Sequence, residues 1–263
     1  MTLIKYLSTI LLFLVLLGSL IYFNQERLLF FPDKLPADYK FTFTCPFKEY
    51  FIKVDKKISL NGLLFQTDSS KGLIFYLHGN AGCLDSWGQI AGVYRQNHYD
   101  FFILDYRGYG KSQGKISGER QLYKDIQIVY DSLKMNYDEK NIVIIGYSIG
   151  TGPATWLASE NRPKLLILQA PYFNLPDLAN HYFKILPSCL VRYKFRTDKY
   201  FTSVECPVVI FHGNHDEIIY TGSSYKLKEL FKSMDKLIIL ERQKHNGIND
   251  NETFRKELKK ILE

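Results

Sequence analysis

NIVIIGYSIGTGPATWLAS, residues 141–159, joins an apolar run to a stretch with helical character and places one serine at the junction. Ser148 lies between Gly146 and Gly150, so a single hydroxyl is surrounded by residues that have almost no side chain. A strand that reverses directly into a helix strains the residue at the turn and needs small neighbours two positions away on either side. The stretch therefore predicts either a serine nucleophile at a strand–helix elbow or a helix cap at a tight packing turn.

Short apolar runs recur along the rest of the chain and end at turn residues. Runs of this length are typical of parallel strands that are buried on both faces. With two earlier strands at 49–54 and 58–67, they predict strands at 72–78, 100–106, 141–147, 164–170, 206–212 and 236–241. Helical patterns lie between them at about 85–96, 118–136, 149–160, 222–233 and 250–262. The alternation predicts an α/β fold, with one mainly parallel sheet of about eight strands and helices on both faces.

Two downstream residues are suited to complete a catalytic site with Ser148. A serine nucleophile needs a base within hydrogen-bond reach, and that base needs a carboxylate that fixes its tautomer. Asp216 follows the next-to-last predicted strand and His245 follows the last one, so both are expected at the carboxyl edge of the sheet. The order Ser, Asp, His is that of the α/β-hydrolase arrangement. We therefore predict a catalytic triad of Ser148, Asp216 and His245.

Other acids and histidines near these positions are alternatives. Glu217 is adjacent to Asp216, but its side chain would point away from the end of the strand. The remaining candidate bases lie beside the acid, after a helix, or in the insertion described below: His212, His215, His98 and His181. His245 is preferred because it alone follows the last strand.

An oxyanion hole requires two backbone N–H groups aimed at one point. The residue after the nucleophile, Ile149, is expected to supply one of them, at the start of a helix whose free N–H groups favour negative charge. The second is expected from the loop LHGNAG, residues 77–82, in which Asn80 is the first choice and Ala81 the alternative.

The first 23 residues differ in composition from the rest of the chain. Residues 6–23 carry no charge and as a helix would be about 27 Å long, enough to cross the hydrocarbon core of a bilayer. The alternative, a cleaved signal peptide, lacks a small-x-small cleavage site before Asn24. We predict a signal anchor over residues 1–23, a juxtamembrane segment over 24–48 and a hydrolase domain over 49–263.

Two sequence signals disagree about the side of the membrane that the domain faces. The basic residues near the ends of the helix slightly favour a cytoplasmic domain: Lys5 before it and Arg27, Lys34 and Lys40 after it. A hydrophobic segment at an extreme N-terminus, in contrast, usually carries the following domain across the membrane. We expect a single-pass protein with residues 24–263 on the non-cytoplasmic side.

Charge and cysteine content argue against several other classes of protein. The net charge is +7, but the 34 basic residues form no block, so no nucleic-acid partner is expected. The four cysteines form no C-x-x-C pair, which argues against a structural zinc site. Cys189 and Cys206 would pair only in an oxidising compartment, and free buried thiols are the simpler expectation.

One stretch imitates a phosphate-binding loop. Gly110, Lys111 and Ser112 match its end, but the glycine that the motif requires at its start is Asp105. No nucleotide is therefore expected, and the proposed chemistry needs no metal or organic cofactor. Asp105 and Arg107 are better explained as a buried turn network after the fourth strand.

With these residues placed, the chain resembles the α/β-hydrolase superfamily. Within it, the chain is similar to the membrane-associated bud-emergence-type proteins and mammalian α/β-hydrolase-domain proteins. The resemblance covers residues of about 25–262. It rests on seven blocks in order along the chain: RLLFFPDKLP, LHGNAG, DYRGYGKSQGKISGERQLYKD, GYSIGTGPATWLAS, LPSCLVRYKF, CPVVIFHGNHDEII and KHN. The resemblance implies that Ser148, Asp216 and His245 form the triad of a serine hydrolase acting on esters or thioesters. Some members of the group remove palmitate from membrane proteins.

Two departures limit what can be carried over from these relatives. Depalmitoylating members anchor themselves through an N-terminal cysteine cluster, whereas the first cysteine here is Cys45 and a hydrophobic segment takes that place. The loop after the third strand contains Cys83 where the family more often has a second asparagine. An acyl-protein is therefore only one of the expected substrate classes, beside acyl lipids.

An insertion between the strands at 164–170 and 206–212 predicts a short lid over about 172–205. A crossover needs roughly a dozen residues, and the excess here is rich in Tyr, Phe and Leu. We expect one or two helices and a partly open apolar groove suited to an acyl chain. The alternatives are a serine aminopeptidase or oligopeptidase, for which the lid offers few acids, and a non-catalytic membrane scaffold, for which the triad would have to be broken.

Overall fold

A computed structural model of the chain describes residues 2–184 and 187–263. Its centre is a sheet of eight strands, which we number in chain order: β1 Lys48–Asp55, β2 Ile58–Phe65, β3 Leu73–Leu77, β4 Asp100–Leu104, β5 Ile142–Tyr147, β6 Leu165–Gln169, β7 Val208–Gly213 and β8 Lys236–Leu240. The spatial order is β8-β7-β6-β5-β3-β4-β2-β1. Strand β2 is antiparallel to both of its neighbours, and the other pairs are parallel. The predicted sheet is confirmed, and all eight strands lie where their sequence patterns predicted them.

Ten α-helices accompany the sheet in the part of the chain that the structure describes. They are α1 Thr2–Phe23, α2 Gln25–Leu29, α3 Leu84–Trp87, α4 Ala91–Arg95, α5 Glu119–Lys134, α6 Thr151–Glu160, α7 Leu175–Tyr182, α8 Thr197–Phe201, α9 Gly222–Lys228 and α10 Glu252–Leu262. Two boundaries differ from the sequence patterns. The predicted helix at 85–96 breaks at Gly88, where a Cβ would lie 2.5 Å from the ring of Phe43, and the predicted helix at 222–233 ends at Lys228 in turns.

The central strands are apolar throughout because both faces of the sheet are covered. Every residue of β3 is buried, with Leu73, Phe75 and Leu77 in one apolar cluster and Ile74 and Tyr76 in the other. The first cluster contains residues of α5, α6, α8 and α9, and the second contains residues of α3, α4 and α10. The two-sided burial that the continuous apolar runs predicted is therefore observed.

The segment before the sheet packs against the domain. Helix α1 contains one stretch, Ile4–Phe23, that is long and apolar enough to cross a membrane by length and composition. After α2, Phe31–Pro32 pairs in parallel with Ala81–Gly82, and Phe30 and Phe41 are buried in the two apolar clusters. The segment 24–48, which the sequence predicts as juxtamembrane, thus contributes to the core and holds the loop that follows β3.

Candidate active site

Ser148 lies at a sharp reversal between β5 and α6. Strand β5 ends at Tyr147, a 3-10 turn covers Ser148–Gly150, and α6 begins at Thr151. The backbone of Ser148 has φ +52°, which a non-glycine residue adopts only under strain. A Cβ on Gly150 would lie 2.2 Å from the carbonyl oxygen of Leu77. Gly146 and Gly150, which lie two positions before and after the serine, therefore allow β5, β3 and α6 to pack closely together. This close packing explains the small residues around Ser148.

The sheet brings His245 and Asp216 to this serine. His245 Nε2 lies 3.0 Å from Ser148 Oγ, and His245 Nδ1 lies 2.8 Å from Asp216 Oδ2. Both residues follow the carboxyl ends of neighbouring strands, β8 for His245 and β7 for Asp216, as the sequence predicts. Ser148 and His245 are each about 5% exposed. The arrangement is a continuous hydrogen-bonded series from a hydroxyl through an imidazole to a carboxylate, which is suited to proton removal from the hydroxyl.

The Asp216 carboxylate is held in its charged form. Its Oδ1 accepts the backbone N–H groups of Ile218 at 2.9 Å and Ile219 at 2.8 Å. Burial alone would raise the pKa of Asp216, but hydrogen bonds from His212, His245 and Ile219 outweigh burial and place the pKa well below its usual range. The carboxylate therefore stays ionised at neutral pH and can stabilise positive charge on His245.

His212 is a contact of the acid that sequence analysis missed. Its side chain is fully buried, with Nδ1 2.6 Å from Ser224 Oγ and Nε2 2.9 Å from the carbonyl oxygen of Ile219. The same Nε2 lies 3.2 Å from Asp216 Oδ2. Because both neighbours of Nε2 are acceptors, the proton belongs on Nε2, which fixes the tautomer. The short sequence distance between His212 and Asp216 argues against His212 as the base. In the structure, the same short distance lets His212 contact the Asp216 carboxylate.

The alternative acid takes a different position. Glu217 is exposed, and its Oε2 accepts the backbone N–H of His245 at 3.4 Å. The imidazole of His245 is instead bonded to Asp216. Glu217 thus contacts the main chain of the base rather than its ring.

The two segments proposed to form the oxyanion hole are both fixed by tyrosines. Tyr172 donates to the carbonyl of Ile149 at 3.0 Å and accepts the N–H of Gly152 at 3.1 Å, which holds the turn after Ser148. The carbonyl of Asn80 accepts the hydroxyl of Tyr109 at 2.7 Å and the N–H of Phe31 at 2.8 Å. Donation by the N–H groups of Ile149 and Asn80 to a substrate stays a prediction.

Asp105 and Arg107, the two charged residues that the sequence assigns to a buried turn network, form separate contacts within the protein. Asp105 is fully buried 3.5 Å from His78 Nε2, and burial raises the pKa of its carboxyl. Arg107 forms two hydrogen bonds to the Asp125 carboxylate, at 2.6 and 2.8 Å. Both residues are thus engaged within the protein, as the buried turn network predicts, although they do not pair with each other.

The predicted lid contains two short helices, α7 and α8. Asn174 caps α7 through its side chain, which accepts the N–H of Asp177 at 2.8 Å. The lid packs against α2, and the apolar cavity between α7 and α2 has a volume of about 300 Å³. The lid also contains Cys189, which is exposed, and ends near buried Cys206; the two are free thiols, so the disulfide alternative is not observed.

No cluster of metal ligands accompanies the site. Within residues 2–184 and 187–263, no three His, Cys, Asp or Glu side chains are grouped in a way that would hold a metal ion.

Comparison with known proteins relates this chain to hydrolases. A family model described as serine aminopeptidase, S33, matches residues 68–201. Lysophosphatidylserine lipase ABHD12 of Danio rerio is 32% identical over 183 residues, which cover 62% of this chain and 48% of that protein. Alpha/beta hydrolase domain-containing protein 17C of Homo sapiens is 31% identical over 206 residues, which cover 74% of this chain and 59% of that protein.

The match thus spans about half to three fifths of the length of these relatives. Among solved structures, the esterase Pf2001 of Pyrococcus furiosus is similar with a TM-score of 0.67 and 20% identity. That likeness covers 89% of this chain and 95% of the esterase, and at this identity it shows the fold alone.

Proposed function

This chain belongs to the S33 serine aminopeptidase family of α/β hydrolases, and on that premise we propose that it is a membrane-anchored serine hydrolase that cleaves carboxylic esters or thioesters through an acyl-enzyme on Ser148. One observation carries the proposal. It is the hydrogen-bonded series from Ser148 Oγ through His245 to Asp216, with distances of 3.0 and 2.8 Å.

The proposed reaction has two steps. Ser148 Oγ attacks the substrate carbonyl while His245 Nε2 takes its proton, and collapse of the tetrahedral species expels the alcohol or thiol, to which His245 returns that proton. Water then attacks the acyl-enzyme, again giving its proton to His245, which passes it to Ser148 as the carboxylic acid leaves. Asp216 holds the ring in the required tautomer and stabilises the imidazolium without taking the proton.

The negative charge on the carbonyl oxygen is proposed to be bound by the N–H groups of Ile149 and Asn80. A single donor of this kind contributes roughly 10²–10³ in kcat in serine hydrolases of known mechanism. The chemistry of this chain's own groups is complete for ester cleavage, so no cofactor enters the proposal.

We propose that α1 anchors the protein in a bilayer, which makes a membrane amphiphile a suitable substrate. The support is the length of the helix and the exposure of its apolar side chains, such as Leu16 at 60% and Leu20 at 62%. A relative bears the name lysophosphatidylserine lipase, which favours acyl lipids, whereas an acyl-protein substrate has no comparable support here. The non-cytoplasmic orientation stays a prediction that protease treatment of intact cells would check, since a cytoplasmic domain would survive until the membrane is permeabilised.

Peptide hydrolysis is a second candidate, because the description of the matching family names a serine aminopeptidase. Recognition of a peptide amino terminus calls for acidic groups at the site, and the two carboxylates of the lid's helices are engaged elsewhere. Asp177 is paired with Lys226 at 2.5 Å, and Asp198 is paired with Arg196 at 2.7 Å. Parallel assays on acyl esters and aminoacyl arylamides distinguish the two activities: ester hydrolysis should exceed arylamide hydrolysis.

Labelling with a fluorophosphonate tests the proposed function most directly. The intact chain should be labelled, and Ser148→Ala should abolish labelling and lower kcat for a short-chain nitrophenyl ester by about 10⁴-fold or more. Ser69→Ala, at an exposed loop serine, is the matched control and should behave like the wild type. Near-normal turnover by Ser148→Ala would contradict the mechanism, and an unlabelled wild type would favour the non-catalytic scaffold.

A further inference from the structure

An apolar groove lies between the membrane helix and the lid. We call it the membrane-side groove; it is the cavity of about 300 Å³ described above, and its main apolar lining residues are Ile21, Leu28, Leu29, Leu178, Tyr182 and Ile218. These residues come from the last turn of α1, from α2, from α7 and from the loop after β7. The groove therefore joins the membrane helix to the part of the chain that carries the triad acid.

The buried polar side chain in the groove is already satisfied by the protein. Gln25 is 6% exposed; its amide nitrogen donates to the carbonyl of Leu190, and its amide oxygen accepts the N–H of Arg192 at 2.8 Å. An apolar ligand would thus leave this amide with its partners and incur no penalty for an unpaired buried group. The same bonds attach the lid to α2.

Several apolar side chains at the groove are exposed in the isolated chain. Leu28 is 59% exposed, Phe183 66% and Ile218 51%. Contiguous apolar surface of this kind marks a site for a ligand, a membrane or a partner. Because Ile21 belongs both to the membrane helix and to the groove, the groove begins where α1 would leave the bilayer.

One wall of the groove is bonded to the loop that carries Asp216. The N–H of Ile218 donates to Asp216 Oδ1 at 2.9 Å. The hydroxyl of Tyr182, at the end of α7, donates to the carbonyls of Glu217 at 3.3 Å and Ile218 at 3.2 Å. The groove wall and the loop that carries the acid are thus one hydrogen-bonded unit.

From these contacts we infer that the membrane-side groove binds one acyl chain of an amphiphile that remains in the bilayer, and so presents its ester or thioester carbonyl to Ser148 from the membrane side. The inference rests on the proposed function. A chain moving from the bilayer into this groove exchanges one apolar surrounding for another, while the carbonyl reaches the catalytic site at the membrane surface.

Acyl-chain length is the variable that tests this inference. Each methylene moved from water into an apolar site contributes about 0.8 kcal/mol, which is roughly fourfold in kcat/KM. For monomeric nitrophenyl esters, kcat/KM of the full chain in detergent should rise with chain length from butanoyl until the groove is filled. Each ester is kept below the concentration at which it aggregates, so that only monomeric substrate is compared.

Ala179→Phe places a ring in the groove, because Ala179 is one of the lining residues on α7. It should lower kcat/KM for the dodecanoyl ester about tenfold or more, while kcat/KM for the butanoyl ester stays within about twofold. Asn180→Phe, with the same ring one position along α7 at an exposed residue, is the matched control and should leave both values unchanged. An unchanged ratio of the two esters in Ala179→Phe would overturn the inference.

A second variant and a binding measurement test the groove independently of catalysis and of the folding of Ala179→Phe. Leu28→Glu puts a charge on an exposed side chain of α2 and should reduce dodecanoyl hydrolysis alone. A photoreactive lysophospholipid in vesicles, added to Ser148→Ala, should crosslink to Leu28 or Leu178, whether or not the wild type hydrolyses esters. Fluorophosphonate labelling without any crosslink at the groove would refute the groove and retain the proposed function; crosslinking without labelling would do the reverse.

Discussion

Replacing Ser148, the proposed nucleophile, by glycine should stabilise the fold relative to replacing it by alanine, although both variants should be inactive. Ser148 has φ +52°, and a non-glycine residue at such a φ costs of order 1–2 kcal/mol. Ser148→Ala keeps this cost and Ser148→Gly removes it, and both lose the same hydrogen bond to His245. The greater freedom of glycine in the unfolded chain offsets about 0.4–1 kcal/mol. The net expectation is about 1 kcal/mol in favour of glycine.

Thermal unfolding of the full chain in detergent measures this difference. For a domain of this size, about 1 kcal/mol corresponds to a Tm that is roughly 2–4 °C higher for Ser148→Gly than for Ser148→Ala. The control pair is Ser132→Gly and Ser132→Ala within α5, where the order should reverse because glycine weakens a helix by about 1 kcal/mol. If Ser148→Gly unfolds at or below the temperature of Ser148→Ala, the backbone at the elbow is not strained and the reasoning fails.

Gly150→Ala should cost about 1–3 kcal/mol and slow fluorophosphonate labelling, because its Cβ would lie 2.2 Å from the carbonyl oxygen of Leu77; wild-type stability and labelling rate would contradict this. The lowered pKa of Asp216 stabilises the fold above the pKa of the unfolded chain, about 4, and this stability is lost as pH falls through the folded-state pKa. The free energy of unfolding of the wild type should therefore fall as pH drops below about 4, and that of Asp216→Asn should fall less over the same range. Identical pH profiles for the two proteins would contradict this prediction. Arg107→Ala should lower the free energy of denaturant unfolding by about 3–5 kcal/mol, because it leaves the Asp125 carboxylate buried without its partner, and a loss below 1 kcal/mol would show the pair to be dispensable.

The sheet, and the grouping of Ser148, His245 and Asp216 at one edge of it, could be predicted from sequence patterns. Strands such as β3 and β5 are buried along their whole length, so their apolar runs stand out against the polar turns that follow. Ser148 has its own local signal, since the space beside it admits only glycine at 150, where a Cβ would lie 2.2 Å from the carbonyl oxygen of Leu77. Asp216 and His245 could be placed because strand ends of a parallel sheet share one edge. His212 has no such signal: its bonds to Ser224 and to the acid depend on how the loop after β7 folds back.

The lid shows where prediction from sequence stops. Its helices could be anticipated from insertion length and composition, but its attachment depends on residues about 165 positions earlier, where Gln25 binds the lid's backbone at Leu190 and Arg192. In the sequence, Gln25 has the appearance of a polar linker residue after an apolar helix. In the structure it is buried, and the adjacent Glu26 accepts the hydroxyl of Tyr193 at 2.8 Å and pairs with Arg192 at 2.9 Å. Because these bonds join α2, which directly follows α1, to the lid, the position of the lid depends on the segment after α1, and the membrane-side groove lies between the two.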